Sequence, residues 1–261
     1  MFGVGFFNNN LYDKVRSDYS PEVSDYMSSF FTFQRESYNV VEVGAGSGKF
    51  TDSIIKSKLP IKEMYIVEPD SEGIKKHHAK FKDKNAFPLI YKNASSDTTG
   101  LDDNITDIIF CGHCFHWFDF ETTKKEFLRI LKNSGQVFIL GRFLNEEDEI
   151  TKNYVKLTRF GKRKEGFSNN IEAYENERMN KFYGHPVERT IICEESIPYT
   201  FLQMLGKLHV RINSSGYSLI MKKLLSVEKT IELLLLFCKH KTQKQLLLKY
   251  TTFAFCSEMA K

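Results

Sequence analysis

Four residues able to bind a metal or move a proton, Cys111, His113, Cys114 and His116, stand within six positions of the stretch FCGHCFHWFDF (residues 110–120). Thiolates and imidazoles suit zinc, yet structural zinc sites draw their ligands as two pairs separated by a long span. Four ligands this close would have to fold back around one ion. The alternative is a pocket wall, in which His116 acts as a general base or donates a hydrogen bond to an acidic substrate, or simply packs and caps a loop. A second stretch, VEVGAGSGKF (41–50), runs a strand into three alternating glycines, Gly44, Gly46 and Gly48, and then into a helix. A phosphate-binding P-loop fails here twice, because Val43 stands at its first glycine and Phe50 at its Mg²⁺-holding hydroxyl. The dinucleotide spacing G-x-G-x-x-G fails at Lys49; the observed spacing is G-x-G-x-G. Glu68 ends the next strand about 20 residues beyond the glycines, where a carboxylate can accept hydrogen bonds from both hydroxyls of a ribose.

These residues need a frame, and the first 142 residues supply one as alternating strand and helix patterns. YNVVEVG (38–44), EMYIVEP (63–69), PLIYKN (88–93), ITDIIFCG (105–112) and QVFILGR (136–142) read as strands. FTDSIIKSKL (50–59), SEGIKKHHAKF (71–81) and FETTKKEFLRIL (120–131) read as helices, with a turn at 133–135. Five strands joined by crossover helices predict a doubly wound α/β sheet, whose ligands sit at the carboxyl ends of the strands. Beyond 142 a polar stretch to about 185 reads as helices and loops. A strand near 188–196, helices near 199–209 and 218–239, and a last strand over 245–255 follow.

Composition narrows the partners. The chain has 261 residues, 41% hydrophobic and 14% aromatic, which suits one domain with embellishments. Thirty-seven Lys+Arg against 33 Asp+Glu leave +4, with no basic face or tail, so nucleic acid is not an expected partner. Five cysteines lack a disulfide spacing, MFGVGFF lacks the flank of a signal peptide, and IELLLLF (231–237) is far shorter than a membrane span. A cytoplasmic protein with no membrane partner is expected.

VVEVGAGSGKF and IVEPD resemble motif I and the acidic end of strand two of the class I S-adenosylmethionine (SAM) dependent methyltransferases, of the type 11 kind. FHWFD is similar to a subset close to the trans-aconitate methyltransferases. The resemblance implies a seven-stranded, mostly parallel sheet in one domain spanning 1–261. It has an N-terminal lid and first helix (1–33), a SAM-binding core (38–142) and a cap with the last strands (143–261). It also implies that Glu42, Gly44, Ala45, Gly46, Ser47 and Gly48 meet the methionine part of SAM. Glu68 and Pro69 would hold the ribose, Ser96 and Asp97 would lie beside adenine, and Cys111 and Gly112 alongside the cofactor. In LYDKVRSDYSPEV (11–23), Arg16 would cover the SAM carboxylate, while Tyr12 and Tyr19 join His113, Phe115 and Trp117 around the substrate. Ser134 replaces the first glycine of the usual turn before strand five.

The expected activity is methyl transfer by in-line displacement to a small-molecule carboxylate or hydroxyl oxygen, with His116 as the catalytic candidate and no metal. Three alternatives stand beside it. A base methyltransferase for nucleic acid would show Asp/Asn-Pro-Pro-aromatic where CGHCFHWF stands. A nicotinamide-dependent oxidoreductase is disfavoured by Lys49, and a non-catalytic SAM-binding protein is left open by the sequence.

Overall fold

A computed structural model describes residues 16–31, 36–84, 86–158, 171–213, 219–240 and 245–260. Helix α1 (Pro21–Phe31) leads into strand β1 (Tyr38–Val43), followed by α2 (Lys49–Lys56), β2 (Ile61–Val67), α3 (Ser71–Phe81), β3 (Leu89–Lys92) and β4 (Thr106–Gly112). A short 3-10 turn, Phe115–Trp117, precedes α4 (Phe120–Ile130) and β5 (Leu131–Leu144). Then come α5 (Glu149–Thr158), α6 (Ile171–Tyr183), β6 (Arg189–Tyr199), α7 (Phe201–Asn213), α8 (Leu219–Lys239) and β7 (Leu246–Glu258). Local chemistry starts several helices where the sequence reading places them. The Asp70 carboxylate accepts from the Glu72 N–H at 3.2 Å to cap α3, and Asp119 accepts from the Thr122 N–H at 3.1 Å to cap α4.

The strands form one seven-stranded sheet in the order β3-β2-β1-β4-β5-β7-β6. The pairings β1/β2, β2/β3, β1/β4 and β4/β5 are all parallel. Strands β1 and β4 lie inside the sheet and are almost wholly buried, which explains why VVEV and DIIFC read as near-continuous apolar runs. Between them the winding direction reverses. That is where the carboxyl ends of strands in a doubly wound sheet open a crevice for ligands.

One difference from the sequence reading concerns β5, which starts at Leu131 and not at Gln136. Thr106 pairs with Leu131 and Ile108 with Gln136, so a step of two residues on β4 answers a step of five on β5. The extra residues make the turn, and Ser134 takes φ +62° within it, a conformation that glycine would adopt more easily.

The chain divides into two compact units. One comprises Met1–Ser17, Phe143–Glu165 and Glu194–Thr251; the other comprises Asp18–Arg142, Gly166–Cys193 and Thr252–Lys261. The core of the second unit is aromatic: Phe31, Phe110 and Phe138 meet with ring centroids 5.7 to 6.1 Å apart, all fully buried. The first unit has its own core, built on Tyr154, Met204, Leu208, Leu233 and Leu248. No helix among the described residues is long and apolar enough to cross a membrane.

Candidate functional site

At the end of β1 the chain turns through three glycines with φ +73° at Gly44, +55° at Gly46 and +84° at Gly48. Side-chain-bearing residues rarely adopt such values, so the alternation of glycines fixes the path of the loop. Gly44 N–H donates to Val67 O at 2.8 Å and Gly48 N–H to Ala45 O at 3.0 Å, which ties the loop to β2 and closes it on itself. A Cβ placed on Gly46 would meet nothing within 4 Å. That glycine borders open space and leaves the backbone approachable, as a cofactor lying on the loop requires.

Glu68 projects from the end of β2 toward this opening and is only 9% exposed. One carboxylate oxygen accepts the Gly46 N–H at 2.8 Å and the other accepts the Asp70 N–H at 3.0 Å. Burial raises the carboxyl above its usual range, and these two N–H donors pull against that rise. Each oxygen has a further lone pair to offer, so the group can still accept a ribose hydroxyl. The Asn93 amide donates to Glu68 O and Pro69 O, both at 3.0 Å, bringing the loop after β3 against the same strand end. The carboxylate therefore fits the ribose of SAM.

In that loop the two predicted adenine neighbours part company. Ser96 is buried and its hydroxyl meets the Thr123 hydroxyl of α4 at 2.8 Å, whereas Asp97 is exposed and accepts the Ser95 hydroxyl. The loop is anchored by Glu126, which accepts the Thr99 N–H at 2.8 Å and is gripped by the Arg129 guanidinium at 2.8 Å. Burial works against ionisation of Glu126, yet Arg129 and Thr99 outweigh it and hold the carboxyl at about 2.

The end of β4 and the turn after it use their cysteines for packing. Cys111 is fully buried, and burial followed by a hydrogen bond to Cys114 pushes its thiol upward. Cys114 Sγ donates to Val43 O at 3.1 Å, and a Cβ on Gly44 would lie 2.8 Å from Cys114 Cβ. Among the described residues no group of three or more His, Cys, Asp or Glu side chains is arranged to hold a metal ion. His113 takes φ +56° and donates its N–H to Leu140 O at 2.8 Å. Its ring stands 5.4 Å from that of His116, which is exposed and lies 5.0 Å from Trp117, itself 60% exposed. Phe115 turns the other way, into a cluster with Phe118, Phe120 and Phe182. Gly112 lets the strand end lie against Phe50, where an added Cβ would come within 2.5 Å of the ring.

Tyr19 packs edge-on against Phe50 at 5.7 Å, beneath the Arg142 guanidinium at 5.6 Å, so it joins Gly112 and the glycine loop at the same end of the sheet. Arg16 belongs to the other unit, and Tyr12 lies outside the described residues.

Glu42, predicted to meet the cofactor, is 1% exposed and directed beneath the loop, where it accepts the Thr51 hydroxyl at 2.6 Å. The Thr51 hydroxyl also meets His77 Nε2 at 2.8 Å, and His77 Nδ1 meets the Tyr91 hydroxyl at 3.0 Å. Sequence reasoning did not single out Thr51, His77 or Tyr91. No local spacing links positions on two helices and two strands.

The family model described as "Methyltransferase domain" matches residues 41–139, the segment that holds the glycine loop, Glu68, His113 and His116. An uncharacterized methyltransferase of Schizosaccharomyces pombe is 33% identical over 129 residues, 49% of this chain and 48% of its own, so the match spans about half the length of that relative. An uncharacterized methyltransferase-like protein of the same yeast is 27% identical over 206 residues, 79% of this chain and 75% of its own. Among solved structures, the YcgJ protein of Bacillus subtilis superposes with a TM-score of 0.55 at 15% identity, covering 92% of this chain and 100% of that one, a likeness of fold. Residues 41–139 therefore match a methyltransferase domain.

Proposed function

We propose that the protein transfers the methyl group of SAM to a carboxylate or hydroxyl oxygen of a small molecule, by direct in-line displacement. The observation that carries the reading is the buried Glu68 carboxylate, anchored on the Gly46 N–H at 2.8 Å beside a glycine that opens to free space. When bound, SAM supplies a methyl on a positively charged sulfur, which departs with the bonding electrons. The loop 44–48 would hold the methionine part, Glu68 the ribose, and the loop carrying Ser96 and Asp97 the adenine.

Little further machinery is required of the chain, because holding a nucleophile in line contributes several kcal/mol, roughly 7 to 11 at best. A carboxylate acceptor arrives ionised and needs no base. A hydroxyl acceptor would give its proton to the imidazole of His116, whose exposed ring is accessible to an incoming molecule. The similarity of FHWFD to the trans-aconitate methyltransferases favours an acidic acceptor, and the exposed Trp117 offers an apolar face beside it.

The test is conversion of SAM to S-adenosylhomocysteine across a panel of small carboxylic acids and phenols, with NADH titrated in parallel. Turnover on a member of the panel supports the proposal. Saturable SAM binding without turnover on any acid or phenol would point to a non-catalytic SAM-binding protein, and binding of NADH in place of SAM to an oxidoreductase.

A further inference from the structure

Beneath the glycine loop runs a chain of three hydrogen bonds. Glu42 on β1, Thr51 on α2, His77 on α3 and Tyr91 on β3 are linked at 2.6, 2.8 and 3.0 Å. Glu42, Thr51 and His77 are each at most 1% exposed, so the link is closed to bulk water along most of its length. Thr51 lies in the first turn of α2, the helix that begins directly after Gly48. The same face of α3 presses on the loop itself. A Cβ on Gly48 would come within 2.3 Å of the Phe81 ring and 2.9 Å of the His77 ring, and Lys80 Nζ donates to Gly48 O at 3.0 Å.

The chemistry explains why histidine stands in the middle. The Thr51 hydroxyl donates to the Glu42 carboxyl, which burial raises to about 8, so the Thr51 oxygen accepts Nε2–H and Nδ1 accepts the Tyr91 hydroxyl. A neutral imidazole serves this arrangement, with one nitrogen donating and the other accepting. Burial, assisted by nearby Lys80 and His78, keeps His77 neutral down to about 4.

We propose that His77 is a positioning residue for the cofactor loop, which through Thr51 and Glu42 fixes the start of α2 against β1 and so holds Gly44–Gly48 in the shape that receives SAM. The inference rests on the SAM reading of that loop. It assigns to α3 a role in cofactor capture that the loop motif itself does not contain.

The experiment is calorimetric titration of SAM into the wild-type protein and the His77→Phe, His77→Gln, Thr51→Val and Tyr91→Phe variants, each with its thermal midpoint measured. His77→Phe keeps a ring and loses both hydrogen bonds, and Thr51→Val removes the same link from its other side. Each should weaken SAM binding by about tenfold, since a buried partner is left unpaired. Glutamine carries its amide about as far from the backbone as Nε2, so His77→Gln should restore affinity to within about threefold of wild type. Tyr91→Phe, which cuts only the outer bond, should lie between. Wild-type binding that His77→Phe and Thr51→Val leave unchanged would overturn the inference alone. So would an affinity loss that glutamine does not rescue and that merely follows the fall in thermal midpoint. Failure of the wild-type protein to bind SAM at all would overturn the cofactor reading and the inference with it.

Discussion

Glu68 is held by two backbone N–H donors, from Gly46 and Asp70, that position its carboxylate before any ligand arrives. Preorganisation of this kind lowers the cost of binding, because the acceptor is already desolvated and aimed. Glu68→Ala should therefore weaken SAM binding by about 2 to 3 kcal/mol, the worth of charge-assisted hydrogen bonds, as measured by calorimetry. An unchanged dissociation constant would reduce Glu68 to a brace for the loop. His116 makes a contrasting case, since its ring is exposed beside Trp117 and is proposed to serve the acceptor. His116→Ala should bind SAM nearly as wild type does yet turn over a hydroxyl acceptor about 100-fold more slowly, within the range of general-base effects. Full turnover by that variant on an identified hydroxyl substrate would make the residue structural. The glycines and Glu68 are legible in the sequence because their backbone geometry and their distance along the chain are local properties. Phe115 is not, because its residue type alone cannot say whether the ring faces a pocket or the cluster with Phe120 and Phe182 that it joins.

At the level of elements, the loop after β3 depends on α4 for its shape. Glu126 accepts the N–H and hydroxyl of Thr99 and is paired with Arg129, which also reaches Asp103. Glu126→Gln keeps the shape and removes the charge, and should lower stability by about 2 kcal/mol at neutral pH in a denaturant titration. The sign of the pH dependence follows from the direction of the shift. A carboxyl held at about 2 in the folded protein, below its ordinary value of 4.5, contributes stability that is complete above 4.5 and is lost as the pH falls toward 2. The variant should lack that share of the acid sensitivity; an identical fall in both proteins over this window would mean that the contact carries no such linkage. Element type and order were readable from periodicity through β4, and α3 begins and ends where its Asp70 cap and apolar spacing place it. The start of β5 was not readable. The five-residue step between Leu131 and Gln136 arises from pairing with β4, which a single strand's pattern does not contain. The hydrogen-bond chain through His77 escaped the sequence for the same reason, since its members lie at positions 42, 51, 77 and 91 and meet only when four elements pack.

Across the whole molecule, a seven-stranded sheet with its winding reversal between β1 and β4 brings Gly46, Glu68, Gly112 and Tyr19 to one end of the strands. The thiols within 111–116 serve packing there, with Cys111 fully buried and Cys114 bonded to Val43 O and packed against Gly44. Elemental analysis of the purified protein should accordingly find no stoichiometric zinc, and chelation should leave its thermal midpoint unchanged. A structural site would carry about one equivalent and add its binding energy to folding. Whether the loop 44–48 and Glu68 receive SAM is decided by calorimetric titration of SAM into the wild-type protein and Gly46→Val. The glycine sits at φ +55° beside open space, so a β-branched side chain there both strains the turn and fills the approach to the backbone. The SAM reading of the loop predicts saturable one-to-one binding by the wild type and its loss in a folded Gly46→Val. No binding by the wild type, or equal binding by the two, would contradict it.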